Sequence, residues 1–276
     1  MLIDTHAHVN FNAYREDGDE VIKRSLENGI LVINVGSQYS TSRRAVFIAE
    51  KYPKGVYAAI GLHPIHLSEN VFRDTVDASE EVKFSPSVEE FEEEKYLKLG
   101  KSAKVVAIGE IGLDYFHNKN NINEQKEIFG RQIDLAQKLN LPIIIHCREA
   151  HSDVLEIIKE KKEQYGNSLK GVVHCFSGRL KQAKEYVELG FLLGFNGIIT
   201  FARDYDKVVK VIDMKYVVLE TDCPYLAPIP FRGKRNEPAY VKYVMEKIAE
   251  IKGIGRDEVA AISTENAKKI FNLDFF

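Results

Sequence analysis

Val105-Val106-Ala107-Ile108-Gly109-Glu110 is an apolar run that closes on a carboxylate. The same arrangement recurs downstream: Ile143-Ile144-Ile145 ends on His146, Val172-Val173 on His174, and Val217-Val218-Leu219 leads through Glu220 to Asp222. Short, continuously apolar, β-branched runs are buried on both faces, which is the mark of a parallel sheet. Working outward, strands are read at Leu2–His8, Ile30–Gly36, Val56–His63, Val105–Glu110, Pro142–His146, Gly171–His174, Phe191–Phe195 and Tyr216–Asp222. Between them lie segments of helical periodicity, such as Ile128/Phe129/Gln132/Leu135/Ala136/Leu139 and Val154/Leu155/Ile157/Ile158. A final helix pair begins near Asn236, with Pro238 in its first turn and Gly253 as a stop; Asp257 opens the last helix. Eight strand–helix units, with no glycine-rich phosphate turn after the first strand, favour a closed (β/α)8 TIM barrel over an open doubly wound sheet. Residues 1–276 are read as a single barrel domain.

One stretch breaks the rhythm. Ser68 to Lys104 is long and acidic, with Glu80-Glu81, Glu89-Glu90 and Glu92-Glu93-Glu94. Ser87 to Leu99 is read as a helix capped by Ser87 and Glu90, and the preceding half as an extended loop on the catalytic face, foremost a solvated decoration.

The chain has 276 residues, with 38 basic and 41 acidic side chains and a formal charge of −3. Hydrophobic residues at 45% against only 8 prolines and 18 glycines exclude disorder and collagen-like repetition. The charge balance excludes the bulk positive field of a protein that coats nucleic acid, though not a local basic patch. No apolar run reaches the roughly 18 residues of a membrane span. Three cysteines, an odd number, argue against a disulfide framework, and no secretory signal is visible at Met1–His6. A cytoplasmic protein is expected.

In a barrel the C-terminal strand ends converge on one mouth, where active sites of this fold sit. His6 and His8, two residues apart, share one face of the first strand, roughly 6–7 Å apart. With Glu110, His146, His174 and Asp222 they bring four imidazoles and two carboxylates to one dry cup, which would be costly without cations. Six donors exceed the needs of one four-coordinate ion with an open position. They suit two divalent cations about 3.5–4 Å apart with a water or hydroxide between them, Glu110 bridging. Zinc, manganese, magnesium and iron all suit the set. By strand alternation Cys147, Cys175 and Cys223, each following a proposed ligand, face the helices. The same parity puts Asp4, His63 and Glu220 inward, the two acids as supports for ligands and His63 as a substrate contact. His66, His117 and His151 are read as surface residues. Arg148 and the run Arg232-Gly233-Lys234-Arg235 gather positive charge on the rim; Arg148, Lys234 and Arg235 are candidate phosphate contacts.

These residues resemble the TatD family of metal-dependent deoxyribonucleases, within the amidohydrolase-like barrels. The resemblance rests on Ile3-Asp4-Thr5-His6-Ala7-His8, Gly61-Leu62-His63-Pro64, Gly109-Glu110-Ile111-Gly112-Leu113-Asp114-Tyr115 and His146-Cys147-Arg148-Glu149-Ala150. It continues through His174-Cys175-Phe176-Ser177-Gly178, Gly197–Phe201, Glu220–Pro228 and Arg232–Pro238. It implies that His6, His8, Glu110 and Asp222 hold one ion, and Glu110, His146 and His174 the other. It also implies hydrolysis of DNA phosphodiester bonds, on single strands or ends, with no obligate protein partner. Asp222 is the candidate proton acceptor and, with Glu110, forms the catalytic pair. A second reading keeps the metals but changes the bond: an amidohydrolase or esterase acting on a small molecule or an aminoacylated RNA. A third, a binding protein on an inherited barrel, has against it that all six donors are present.

Overall fold

The computed structural model describes residues 1–68 and 88–273. Eight parallel strands form one sheet in chain order: β1 (Leu2–Ala7), β2 (Ile30–Val35), β3 (Val56–Ile60), β4 (Val105–Asp114), β5 (Ile143–Arg148), β6 (Gly171–Val173), β7 (Leu192–Phe195) and β8 (Val217–Leu219). A bridge between Ala7 and Cys223 brings the last strand back to the first, with His8 N donating to Cys223 O at 2.8 Å and Asp222 N to His6 O at 2.9 Å. The result is a nearly closed (β/α)8 TIM barrel.

Helices alternate with the strands: α1 (Gly18–Glu27), α2 (Tyr39–Glu50), α3 (Glu93–Leu99), α4 (Ile122–Leu139), α5 (His151–Tyr165), α6 (Leu180–Glu188), α7 (Asp206–Val211), α8 (Val241–Lys252) and α9 (Arg256–Phe271). Among the described residues no helix is long and apolar enough to cross a membrane. The apolar faces of the helices pack on the outer side chains of the strands, with Val32, Ile60, Ile108, Ile145 and Val173 among them. A second layer, Ile3, Leu31, Ile33, Ala59, Val106, Ile144, Val172, Leu192 and Val218, packs with Ala267, Ile270 and Phe271 of α9. Thr264 Oγ1 on Met1 O and Asn266 Nδ2 on Val217 O hold α9 across the starts of β1 and β8, so apolar residues fill the barrel's N-terminal end. Polar side chains are left for the opposite mouth.

Several boundaries differ from the sequence reading. The helix expected from Ser87 begins at Glu93, and Ser87 with the loop before it lies outside the described residues. Pro238 opens a 3-10 turn (Pro238–Tyr240) that leads into α8, and Gly253 caps that helix at φ 68°, where glycine has no Cβ penalty. β4 runs on to Asp114 and β5 to Arg148, whereas β6 and β8 leave the ladder before His174 and Asp222.

Candidate metal centre

His8, His174 and Asp222 stand just past the ends of β1, β6 and β8, whereas His6, Glu110 and His146 lie within β1, β4 and β5 on the side of the barrel mouth. Irregularities in β1 between Asp4 and Ala7, and in β4 between Ile108 and Ile111, insert an extra residue relative to the neighbouring strand. A bulge of this kind re-aims the side chains beyond it. It lets Ile3 and Ala107, each three residues earlier, join the apolar inner layer while His6 and Glu110 enter the cup. Asp222 adopts φ 57°, a left-handed conformation rarely taken by residues other than glycine. Its backbone is pinned there by donation from Asp222 N to His6 O and from Tyr225 N to Asp222 O, both at 2.9 Å.

Six donors converge. His6 Nε2 lies 3.1 Å from His8 Nε2 and 3.4 Å from Glu110 Oε2; His8 Nε2 lies 3.4 Å from Asp222 Oδ1. On the other side Glu110 Oε1 lies 2.8 Å from His146 Nδ1, 3.5 Å from His63 Nε2 and 3.7 Å from His174 Nε2. The carboxylate of Glu110 thus gives one oxygen to the β1 histidines and the other to the β5 and β6 histidines. Asp222 Oδ1 is also 3.8 Å from His174 Nε2, which closes the ring of donors.

Supporting contacts aim the rings. His8 Nδ1 meets Val35 O at 2.8 Å, so it carries the proton and leaves the Nε2 lone pair facing the cup. His174 Nδ1 lies 2.9 Å from Glu220 Oε1, which also accepts from Cys175 N at 2.7 Å. Asp4 acts through backbone: its Oδ1 accepts from His6 N at 3.2 Å and Thr221 N at 2.9 Å, across the seam where β8 meets β1.

The electrostatics follow from crowding these groups out of water. Burial pushes His6 down to about 4, with the neighbouring His174 charge adding to the effect. His146 and His174 move the other way despite burial. Asp114 and Glu110 raise His146 to about 9, and Glu220, Asp222 and Glu110 raise His174 to about 10. Burial also works against ionising Glu110 and Asp222, yet the surrounding histidines hold both carboxyls below their ordinary range. Ionised carboxylates facing imidazole nitrogens, with His6 Nδ1 buried and unpartnered, form a donor set that fits divalent cations. Four groups of His, Asp, Glu and Cys side chains among the described residues have ligand atoms close enough to hold an ion.

Comparison with known proteins agrees with this chemistry. The family model described as TatD related DNase matches residues 3–272. The chain belongs to the TatD family. The metal-dependent hydrolase YabD of Bacillus subtilis is 44% identical over 99% of this chain and 100% of its own length. The 3'-5' ssDNA/RNA exonuclease TatD of Erwinia tasmaniensis is 30% identical over 99% of this chain and 100% of its own. Among solved structures, YJJV, a TatD homologue of Escherichia coli K12, superposes with a TM-score of 0.84 at 30% identity, covering 99% of this chain and 98% of that one. This protein is therefore a metal-dependent hydrolase of the TatD family, with His, Asp and Glu clusters capable of binding metal.

Within the TatD cup the structure adds a residue that sequence reading passed over. Asp114 is almost fully buried at the end of β4, with its Oδ2 3.0 Å from His146 Nε2 and 2.7 Å from His117 Nδ1. Gln125 of α4 fixes its backbone, accepting from Asp114 N at 2.8 Å and donating to Asp114 O at 3.1 Å. A strand taken to stop at Glu110 hides this residue; the signal available was its place in Gly109–Tyr115.

Other expectations are corrected. Cys147 and Cys223 are buried beside the ligands as neutral thiols pushed up to about 12 by burial, but Cys175 does not face the helices. At φ 43° its chain has left strand geometry, and its sulfur clusters with ligand atoms of His174 and Asp222. His66 and His151 are buried, not surface residues: His66 Nε2 meets Ser37 Oγ at 3.2 Å, and His151 Nδ1 meets Cys147 Sγ at 3.2 Å and Tyr186 OH at 3.1 Å. His117 is tied to Asp114. On the rim, Arg148 and Lys234 are exposed. Arg235 has its guanidinium on both Asp17 oxygens and on Ala13 O, above the Tyr14 ring.

Proposed function

We propose that the cup holds two divalent cations and hydrolyses phosphodiester bonds in DNA. His6, His8, Asp222 and Glu110 would hold one cation, and Glu110, His146 and His174 the other, drawn from zinc, manganese, magnesium or iron. The observation that carries the reading is the split of Glu110, whose Oε2 serves His6 and whose Oε1 serves His146. When bound, the pair supplies Lewis acidity toward water and toward the oxygens of the scissile phosphate.

The protein's own groups do the rest. Asp222, ionised and facing His8 and His174 in the cup, accepts the proton of the attacking water. His63, 3.5 Å from Glu110, borders the place a phosphate would fill and contacts its oxygens. Arg148 and Lys234, exposed at the mouth, neutralise the phosphates on either side, with Arg235 holding the Lys234 loop to Asp17 as well as adding charge. Two exposed rim cations around an otherwise acidic chain favour a polyanion over a neutral amide or ester. The name of the Erwinia relative, a single-stranded DNA and RNA exonuclease, supports the same bond class.

The test is incubation of the metal-loaded protein with single-stranded DNA, following nucleotide release over a range of salt. Release that falls steeply with salt is expected, because each phosphate contact displaces counterions. No release with magnesium, manganese or zinc on any end structure, together with hydrolysis of small esters or amides that ignores salt, would contradict it.

A further inference from the structure

Two aromatic rings at the mouth each carry a guanidinium. Arg148, the last residue of β5, sits 4.0 Å from the centroid of the Phe116 ring, just past the end of β4. Arg232, in the loop after β8, sits 3.8 Å from the centroid of Phe201, in the loop after β7. One pair stands on the β4/β5 side of the cup and the other on the β7/β8 side. Both pairs lie at the C-terminal ends of their strands, the end of the barrel that carries the cup.

Phe116 is 37% exposed, an unusual setting for so large an apolar ring at the rim of a polar site. One face is occupied by Arg148, and the edge of His117 meets it at 5.0 Å between centroids. A ring and a guanidinium held together match a nucleotide's two halves, since a base stacks on a π face or a guanidinium plane while an adjacent cation takes its phosphate. In a duplex the faces of interior bases are stacked on one another and cannot use such platforms; in a single strand they can.

We infer that Phe116 with Arg148, and Phe201 with Arg232, are two nucleobase-stacking platforms that seat unpaired nucleotides on either side of the metal cup. The inference rests on the nucleic-acid reading above and narrows it to strands with splayed bases. Phe116 and Phe201 are specificity residues on this account, reading the presence of a base rather than its identity.

The experiment separates base recognition from charge recognition. Fluorescence anisotropy of the metal-loaded protein is measured with two hydrolysis-resistant phosphorothioate strands of equal length, an oligothymidylate and an abasic strand, so that only the bases differ. The wild-type protein should bind the oligothymidylate about tenfold more tightly. Combined F116A and F201A substitutions should bring that ratio close to one while leaving the salt dependence of binding unchanged, because the phosphate contacts remain. F116W, with a larger π face, should keep the ratio, and it reads the same platform if the alanine variant folds poorly by circular dichroism. Equal wild-type affinity for the two strands, or an undiminished ratio in the double variant, overturns the platforms. Failure of the wild-type protein to hydrolyse an unmodified strand overturns the nuclease reading instead, while the anisotropy ratio still decides the platforms.

Discussion

Asp114 Oδ2 lies 3.0 Å from His146 Nε2, while Glu110 Oε1 lies 2.8 Å from the other nitrogen of the same ring. His146 is therefore oriented from both ends, with Nδ1 turned to the cup and Nε2 turned to a buried carboxylate. This arrangement fixes the tautomer and raises the basicity of the inward nitrogen. D114N should keep the fold and lower metal affinity at the His146 side by about 10–100-fold. Titration calorimetry with zinc would show it; unchanged affinity would mean that Asp114 serves only the turn that follows, where its Oδ1 accepts from Phe116 N at 3.0 Å and His117 N at 2.9 Å.

Gly194 of β7 is the close-approach position behind the cup. A Cβ there would come within 2.3 Å of Glu220 Oε2, the same carboxylate that stands beside His174 Nδ1. G194A must displace a fully buried carboxylate, at a cost of about 1–3 kcal/mol in stability. It should also weaken cation binding through the disturbed His174. Denaturant unfolding with and without metal reads both effects, and the metal-dependent part of the stability should shrink.

The ordered grammar of apolar run plus ligand was readable because a parallel strand buried on both faces tolerates polar residues only where it ends. That rule located His6, Glu110, His146, His174 and Asp222 at one mouth. It failed where backbone ceased to be regular. Counting in twos from the strand above misplaces Cys175, because the chain has already turned into the left-handed region. The bulges in β1 and β4 escape pattern reading since one extra residue leaves no compositional trace. Asp17 and Arg235 pair across most of the chain, a contact no local pattern announces.

His151 carries a pH dependence separate from the cup. It is buried against Cys147 and Tyr186, and burial lowers its pKa from 6.5 to about 4. The unfolded chain binds a proton there more readily than the folded one, so His151 contributes its full stability only above pH 6.5. That contribution is lost as pH falls from 6.5 toward 4, and amounts to no more than about 3 kcal/mol. H151Q should flatten the fall in stability over this window relative to wild type. Chemical denaturation at a series of pH values checks it; parallel curves for the two proteins would show that His151 is already protonated in the native state.

The loop bearing Lys234 is held by Arg235 on Asp17, where the guanidinium keeps the carboxyl below its usual range. R235K loses the fork that grips both oxygens. Its effect should fall on KM for DNA, by a few-fold, with kcat and the melting temperature little changed. A fall in kcat with KM untouched would place Arg235 at the reacting phosphate.

The most direct test is the metal content of the protein itself. After loading with zinc or manganese and removal of unbound ion, mass spectrometry of elements against protein concentration should return about two cations per chain. E110A, which removes the shared carboxylate, should leave about one or fewer. A wild-type value of one or none, or an E110A value equal to wild type, would contradict a paired centre bridged by Glu110.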